Sequence, residues 1–275
     1  MVELFENIVF SKSVESFKTP ILTMHPHLRD NYNCNAPIIV FGLYRDEDLR
    51  LVLQHKSYCM IIFGGSDTFI DDKIWVSYGM KRINYLLKLK EHMNKNNKIV
   101  LISQSKWISD DLKQKNLDHH SVPWYSLNKN LFSPVNKGKF IYIYKKDHPF
   151  YGASLIKNIE KKLQGKYYII TANGSISYEK MSEIYSQCFI GLRLVLHDGL
   201  ASTVQELGLM GIKCVHNGNS PSALNYKTED DIIAHIEREA QKIGTVDEEL
   251  ANQVDKYLNI DSSFFKVNTW FNYIY

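Results

Sequence analysis

Residues 188–221 contain the side chains of this chain that are best suited to holding an anion. The segment reads CFIGLRLVLHDGLASTVQELGLMGIKCVHNGNSP and begins with a predicted strand over residues 189–196. Successive strand side chains point to opposite faces, so Arg193 and His197 are expected on one face near the carboxyl end. Ligands of open α/β sheets bind beyond that end. Because an arginine in a buried strand needs an opposite charge, we expect Arg193 either to bind an anionic ligand or to pair with a helix carboxylate.

A helix is predicted directly after this strand, over residues 203–210. Ser202 and Gln205 stand at capping-box spacing, which makes Ser202 the expected N-cap. The free N–H groups of such a helix start can hold a phosphate, and Gly199 allows the backbone to approach it closely. The sequence therefore predicts an anion site to which Gly199, Ser202 and Thr203 contribute.

Glu206 lies one turn further along this predicted helix. Its neighbours in the sequence are apolar, namely Val204, Leu207, Leu209 and Met210. A carboxylate in such a place needs partners, and two adjacent sugar hydroxyls could donate to its two oxygens. A salt bridge to Arg193 or Lys213 is the alternative interpretation.

Together these motifs resemble the donor domain of GT-B glycosyltransferases. Asp198 and Glu206 are separated by seven residues and followed by Gly211 and a short predicted strand. This arrangement is similar to the Glu-x7-Glu segment of that superfamily, with an aspartate in place of the first glutamate. The close resemblance covers about residues 189–221, is weaker over residues 139–187, and in the first half rests on element order alone.

The resemblance implies transfer of a sugar from a nucleotide-sugar donor to a hydroxyl of a glycan or similar acceptor, without a metal or a cofactor. Glu206 would bind the nucleotide ribose, and Asp198 with His197 would contact the transferred sugar. Arg193 and Lys145, with the amides of residues 199–203, would neutralise the diphosphate as it leaves.

Of the two positions at which GT-B enzymes have basic residues near the diphosphate, only one is basic in this chain. Lys145 and Lys146 end the first predicted strand of the second half, but Tyr151 precedes Gly152 where GT-B enzymes often have a lysine. Two solvated lysines are the alternative interpretation. Residues 171–175 follow the next predicted strand, where GT-B proteins place the base, although an ordinary turn explains them equally well.

Two further candidates follow predicted strands of the first half. Asp67 ends a Gly-Gly-Ser-Asp loop and is a candidate catalytic base or acceptor ligand, with helix capping as the alternative. His25 is a comparable candidate, with an ordinary loop residue as the alternative. The acidic run at residues 46–48 is interpreted as a helix start rather than a metal site, because carboxylates are favourable there.

The elements that must position these residues alternate between strands and helices in both halves. Strands are predicted over residues 21–24, 38–41, 59–63, 99–103, 140–144, 167–171, 189–196 and 213–216. Helices are predicted over residues 46–55, 76–93, 108–115, 152–163, 179–187, 203–210 and 229–243. This alternation predicts an α/β protein with two Rossmann-like domains, facing a cleft as in GT-B proteins.

Three segments are expected from the changes in composition along the chain. Residues 1–134 form an N-terminal acceptor-side domain, and residues 135–245 form the nucleotide-sugar-binding domain. Residues 246–275 form an aromatic tail that packs back on the N-terminal domain.

The composition is that of a globular protein. The chain has 275 residues, 44% of them hydrophobic, and a net charge of +3. This near balance gives no indication of a nucleic-acid or membrane partner. The four separated cysteines predict free thiols in a reducing compartment. Neither a transmembrane segment nor a signal peptide is predicted, so a cytoplasmic or virion-interior location is expected.

Two other functions are consistent with the same residues. One is a nucleotide-sugar 2-epimerase or hydrolase of the same architecture, which would act on the donor without an acceptor. The other is a non-catalytic nucleotide- or glycan-binding protein, for which the shortened Asp198 and the missing basic residue at Tyr151 argue. This second alternative predicts ligand binding without turnover.

Overall fold

Each half of the chain supplies one parallel β-sheet. The computed structural model describes residues 3–69, 72–124, 129–172 and 176–271, and only the backbone of residues 72–80. The first unit comprises Met1–Ser126, His197–Leu200 and Asn259–Tyr275, and the second comprises Leu127–Leu196 and Ala201–Leu258.

The strands and helices follow one another in a βα order. The strands are β1 Asn7–Phe10, β2 Arg29–Asp30, β3 Ile38–Phe41, β4 Cys59–Ile62, β5 Ile99–Ser103, β6 His120–Ser121, β7 Phe140–Ile143, β8 Tyr168–Thr171, β9 Cys188–Leu192, β10 Lys213–Val215 and β11 Ala223–Leu224. The helices are α1 Lys18–Met24, α2 Asp46–Gln54, α3 Asp72–Met93, α4 Lys106–Gln114, α5 Ala153–Leu163, α6 Tyr178–Tyr185, α7 Ser202–Leu209, α8 Glu229–Ala240, α9 Glu248–Leu258 and α10 Val267–Phe271.

The first sheet has the strand order β2-β1-β3-β4-β5-β6, and its neighbouring strands pair in parallel. Both of its faces are buried, as is usual for parallel sheets. Ile38 and Val40 pack into a core with α2, α3 and α4, whereas Ile39 and Phe41 pack into the core on the other face. The continuous apolar runs of these strands therefore reflect burial on two sides.

The second sheet has the order β11-β10-β9-β7-β8 and is also parallel. Ile141 and Ile143 of β7 pack with Leu192 of β9 and with apolar residues of α5 and α8. β7 and β9 are adjacent, and the amide of Tyr144 donates to the carbonyl of Leu192 at 2.9 Å. The chain segments that leave β7 and β9 therefore start side by side.

Residues 259–271 complete the core of the first unit. Phe264 stacks on Trp124 with ring centroids 5.7 Å apart, and both side chains are buried. The amide of Phe5 donates to the carbonyl of Phe265 at 2.8 Å, which ties the two ends of this unit together. Helix α9, which precedes this segment, belongs to the second unit, so the division falls later in the chain than residue 246.

The predicted α/β class with two parallel sheets is confirmed, and one predicted strand is wrong. Residues 21–24 lie in helix α1, which begins at Lys18 and has Pro20 in its first turn, where proline is tolerated. The strand of this region is β1, for which no strand is predicted from the sequence. It lies between β2 and β3.

Among the described residues, no helix is both long and apolar enough to cross a membrane.

Candidate functional site

Arg193 follows directly on the end of β9. The strand ends at Leu192, four residues earlier than predicted, so the expected alternation does not relate Arg193 to His197. The amide of Arg193 still donates to the carbonyl of Val215 at 3.0 Å, which fixes the backbone at the carboxyl edge of the sheet. Its guanidinium carbon lies 4.2 Å from the centroid of the Tyr144 ring, a cation–π contact.

Lys146 shares this aromatic surface. Its Nζ lies 5.5 Å from the ring centroid of Tyr144 and 4.7 Å from that of Tyr151. Burial lowers the pKa of Lys146, but the hydrogen bonds and charge interactions with the two tyrosines together outweigh it and leave the pKa raised. Tyr151 stands where a basic residue is expected, and its ring contacts the ammonium group of Lys146.

Lys145, the predicted phosphate ligand, has a different partner. Its Nζ forms a salt bridge to Glu160 of α5, with the nearer oxygen at 2.7 Å. The structure thus brings Lys146, rather than Lys145, to the ring that Arg193 contacts. We refer to Arg193, Tyr144, Lys146 and Tyr151 as the cationic cluster.

Helix α7 begins one residue earlier than predicted. Its N-cap is Ala201, which has no side-chain acceptor, and Ser202 is the first helical residue. The expected capping box is therefore absent, and Oε1 of Gln205 instead accepts a hydrogen bond from Ser220 at 2.9 Å. The prediction of Ser202 as N-cap is wrong, although the helix still begins close to residue 202.

Glu206 is buried in the second unit, with 4% of its surface exposed. Its Oε2 accepts a hydrogen bond from the hydroxyl of Tyr185 at 3.0 Å. Burial raises the pKa of the Glu206 carboxyl to about 7, against the opposing effects of the Tyr185 hydrogen bond and the Arg193 charge. Lys213, the alternative partner, donates instead to the carbonyl of Pro221 at 2.9 Å.

Thr203 lies beside the same phenol. Its side chain opposes the rise that burial causes in the pKa of Tyr185, and both side chains are buried. The sequence predicts only a role for the backbone N–H of Thr203, at the start of the helix. The structure therefore adds the Thr203 side chain to the buried polar residues around Tyr185.

His197 belongs to the first unit, where it is 4% exposed. Its Nε2 lies 2.8 Å from Oδ2 of Asp111 on α4, and its ring lies against Phe69 at a centroid distance of 4.9 Å. The buried Nδ1 has no hydrogen-bond partner among the described residues. A histidine with one nitrogen held by a carboxylate can accept a hydrogen bond at the other.

The backbone next to His197 is held at two further points of the first unit. Ser105, the N-cap of α4, donates from its hydroxyl to the carbonyl of Asp198 at 2.7 Å. A Cβ at position 199 would lie 2.6 Å from the carbonyl oxygen of Gly64, so only glycine fits there. The backbone at Gly199 therefore lies close to the loop that contains Gly64, whereas the sequence predicts a close approach to a phosphate.

Asp67 organises the loop in which it lies. Its carboxylate accepts hydrogen bonds from the amides of Leu43, Gly64 and Gly65 at 2.9–3.0 Å, and 1% of the residue is exposed. Burial raises the pKa of Asp67, and the amide hydrogen bonds counteract it. These contacts give Asp67 a structural role in this loop, and its predicted part in catalysis stays a prediction.

His25 is also held within the first unit. Its Nε2 accepts a hydrogen bond from the indole of Trp124 at 3.1 Å, and its ring lies 5.0 Å from that of Phe265. Burial, with a smaller contribution from the charge of His27, lowers the pKa of His25 to about 4. These contacts explain the presence of a neutral histidine at position 25 by its packing on aromatic rings.

Residues 46–48 open helix α2, as predicted. Oδ2 of Asp48 accepts hydrogen bonds from Ser11 at 2.6 Å and from the amide of Arg45 at 2.9 Å. In the part of the chain that the structure describes, no group of three or more His, Cys, Asp or Glu side chains is arranged to hold a metal ion. The proposed base-binding loop at residues 171–175 includes residues 173–175, which lie outside the described residues.

Comparison with known proteins gives matches in structure only. No protein-family model matches the chain, and no curated protein sequence matches it significantly. Sucrose-phosphate synthase from Thermosynechococcus elongatus is 13% identical, with a TM-score of 0.56, over 90% of this chain and 75% of that one. A structure of trehalose-6-phosphate synthase is 11% identical, with a TM-score of 0.57, over 93% and 76%.

HepE from Anabaena, solved in complex with UDP, matches over almost the full length of both chains. It is 9% identical, with a TM-score of 0.54, over 98% of each chain. The matched structures are glycosyltransferases of the GT-B class. The two parallel α/β sheets described above are the architecture of this class, and the chain has the GT-B fold.

Proposed function

We propose that this protein is a glycosyltransferase that moves a sugar from a nucleotide-sugar donor to a hydroxyl of a glycan or similar acceptor, without a metal. The observation that carries the proposal is the cationic cluster at the carboxyl edge of the second sheet. Arg193 and Lys146 both contact the ring of Tyr144 there, at 4.2 and 5.5 Å from its centroid. Ligands of open parallel sheets bind beyond this edge.

The cluster suits a diphosphate leaving group. When the bond between the sugar and the diphosphate breaks, the bonding electrons go to the phosphate oxygen, which gains negative charge. Fixed positive groups at that position stabilise the transition state more than the ground state. Arg193 can form paired hydrogen bonds to phosphate oxygens, and Lys146 adds a point charge.

Glu206 is the proposed ribose ligand of the donor. An ionised carboxylate can accept hydrogen bonds from two neighbouring hydroxyls, and the Tyr185 contact occupies one acceptor position on Oε2. The charge of Arg193 favours the ionised form of Glu206. Diphosphate and ribose recognition would thus be coupled within the second unit.

Asp198 and His197 are the proposed contacts to the transferred sugar. The free acceptor position at Nδ1 of His197 suits a sugar hydroxyl. The proposal gives Asp67 no direct part in transfer, because amides of its own unit occupy its carboxylate.

The test is a thermal-shift screen with UDP, GDP, ADP and CDP, followed by transfer assays with the matching nucleotide sugars. A ligand at about 100 times its Kd adds about 2.7 kcal/mol to the stability. Glu206→Gln is expected to weaken nucleotide binding by roughly 1–3 kcal/mol while the fold persists. Failure of every nucleotide to bind would reject the proposal.

Two further outcomes would select another function, and a third would correct the proposal in part. Release of an epimerised or hydrolysed sugar in the absence of acceptor would favour the epimerase or hydrolase. Nucleotide binding with no turnover of any donor would favour a binding protein. Transfer that stops in excess EDTA and returns with Mn²⁺ or Mg²⁺ would contradict the metal-independent part of the proposal.

A further inference from the structure

We propose that Tyr185 is a positioning residue, whose buried hydroxyl holds the Glu206 carboxylate in one orientation, ready to accept hydrogen bonds from a ribonucleotide. This inference rests on the proposed function, because it concerns the ribose ligand of the same site. Tyr185 itself would not touch the donor.

The first support is the way in which the phenol is enclosed. Tyr185 is the last residue of α6, and 1% of its surface is exposed. The ring of Tyr142 lies edge-on against it at a centroid distance of 4.9 Å. The phenol is thus held by its helix and by the packing of its ring. A donor held in this way fixes the oxygen that it contacts.

The second support is the direction of the hydrogen bond. The hydroxyl of Tyr185 donates to Oε2 of Glu206 at 3.0 Å in a buried environment. Hydrogen bonds to charged acceptors are stronger than neutral ones and gain further where water is excluded. The contact therefore favours the ionised carboxylate, which accepts hydrogen bonds with both oxygens.

The third support is the balance of charge around Glu206. The titratable or charged groups that act on it are Tyr185, Tyr142 and Arg193. Burial raises the pKa of Glu206 to about 7, and among the described residues only Tyr185 and Arg193 lower it. Loss of the Tyr185 hydroxyl should raise this pKa, so that the neutral acid, which has an O–H of its own, predominates at pH 7.

The test compares Tyr185→Phe with the wild-type protein in calorimetric titrations with UDP and 2′-deoxy-UDP. The matching pairs of GDP, ADP and CDP are included in case the base preference differs. At pH 7 the variant is expected to bind the ribonucleotide roughly tenfold more weakly than the wild-type protein does. It should also bind the ribonucleotide no more tightly than the 2′-deoxy analogue. Between pH 7 and pH 9 its affinity should recover, as Glu206 ionises.

Tyr142→Phe is the matched control. It removes a buried phenol hydroxyl beside Tyr185 and keeps the donor to Glu206. It is expected to retain discrimination against the 2′-deoxy analogue. If both variants lose stability, ¹³C NMR of labelled glutamate side chains in the unliganded proteins still reports the titration midpoint of Glu206, which should rise in Tyr185→Phe alone.

The possible results separate the two proposals. Wild-type protein that binds none of the four nucleoside diphosphates overturns the proposed function. Wild-type protein that binds a ribonucleotide, with Tyr185→Phe showing the same affinity, sugar preference and Glu206 midpoint, overturns the positioning role alone.

Discussion

Nε2 of His197 lies 2.8 Å from Oδ2 of Asp111, and this partly buried contact joins residues 86 positions apart in the chain. A carboxylate that accepts from Nε2–H favours the tautomer of neutral imidazole in which Nδ1 is the acceptor. Asp111 therefore determines which chemistry His197 can offer to a ligand.

Asp111→Ala is expected to destabilise the protein by roughly 1–3 kcal/mol, because it leaves a second nitrogen of a buried histidine without a partner. Asp110→Ala, on the same helix, is the matched control and should cost less. Urea unfolding of the two variants provides the measurement. Equal stabilities would mean that the contact contributes nothing to the fold.

Arg193→Lys is expected to reduce both nucleotide affinity and turnover by about tenfold or more. Lysine keeps the charge but loses the planar fork and the flat contact with Tyr144, and a hydrogen bond to a charged group contributes roughly 1.5–3 kcal/mol. Melting temperature and donor affinity should be measured on one preparation. A lower melting temperature with unchanged affinity and turnover would assign Arg193 to the core instead.

Lys146→Ala should weaken nucleotide binding, whereas Lys145→Ala should leave it nearly unchanged. Lys146 lies over the tyrosines of the cationic cluster, and Lys145 is bridged to Glu160 on a partly exposed surface where a salt bridge contributes little. The adjacent variant thus controls for loss of one positive charge. If Lys145→Ala bound the nucleotide more weakly than Lys146→Ala, Lys145 would be the phosphate ligand.

His25 should make the protein less stable as the pH falls from about 6.5 towards 4. Burial lowers its pKa to about 4, so in this range the unfolded chain takes up a proton that the folded chain does not. His25→Gln keeps an acceptor for Trp124 and removes the titration, and should flatten this part of the melting-temperature profile. His120→Gln serves as the control, and identical slopes for all three proteins would contradict the prediction.

The fold was predictable where local pattern and burial agree. Apolar runs such as those of β3 and β4 are buried on both faces and alternate with amphipathic helices, so their hydrophobicity identifies them directly. α1 is the counterexample, because its short apolar run from Ile21 fits a strand as well as a helix. Only its packing in the first unit distinguishes the two.

The candidate site was predictable only in part. Arg193 and Glu206 are conspicuous in the sequence because charged residues are rare in apolar runs. Tyr185 and Asp111 are not, since Tyr185 occupies an ordinary core position of an amphipathic helix and Asp111 is one of two adjacent aspartates. Their partners lie 21 and 86 residues away, and such contacts exist only in the folded chain.

The ties between the two ends of the first unit set an order of events during synthesis. Domains generally fold as they emerge from the ribosome, N-terminal ones first. Here the core around Trp124 lacks Phe264 and Phe265 until more than a hundred further residues have been made. At about 5–20 residues per second this delay is on the order of ten seconds, so the unit whose synthesis starts first is completed last. Meanwhile its aromatic face is open to chaperones and to other nascent chains.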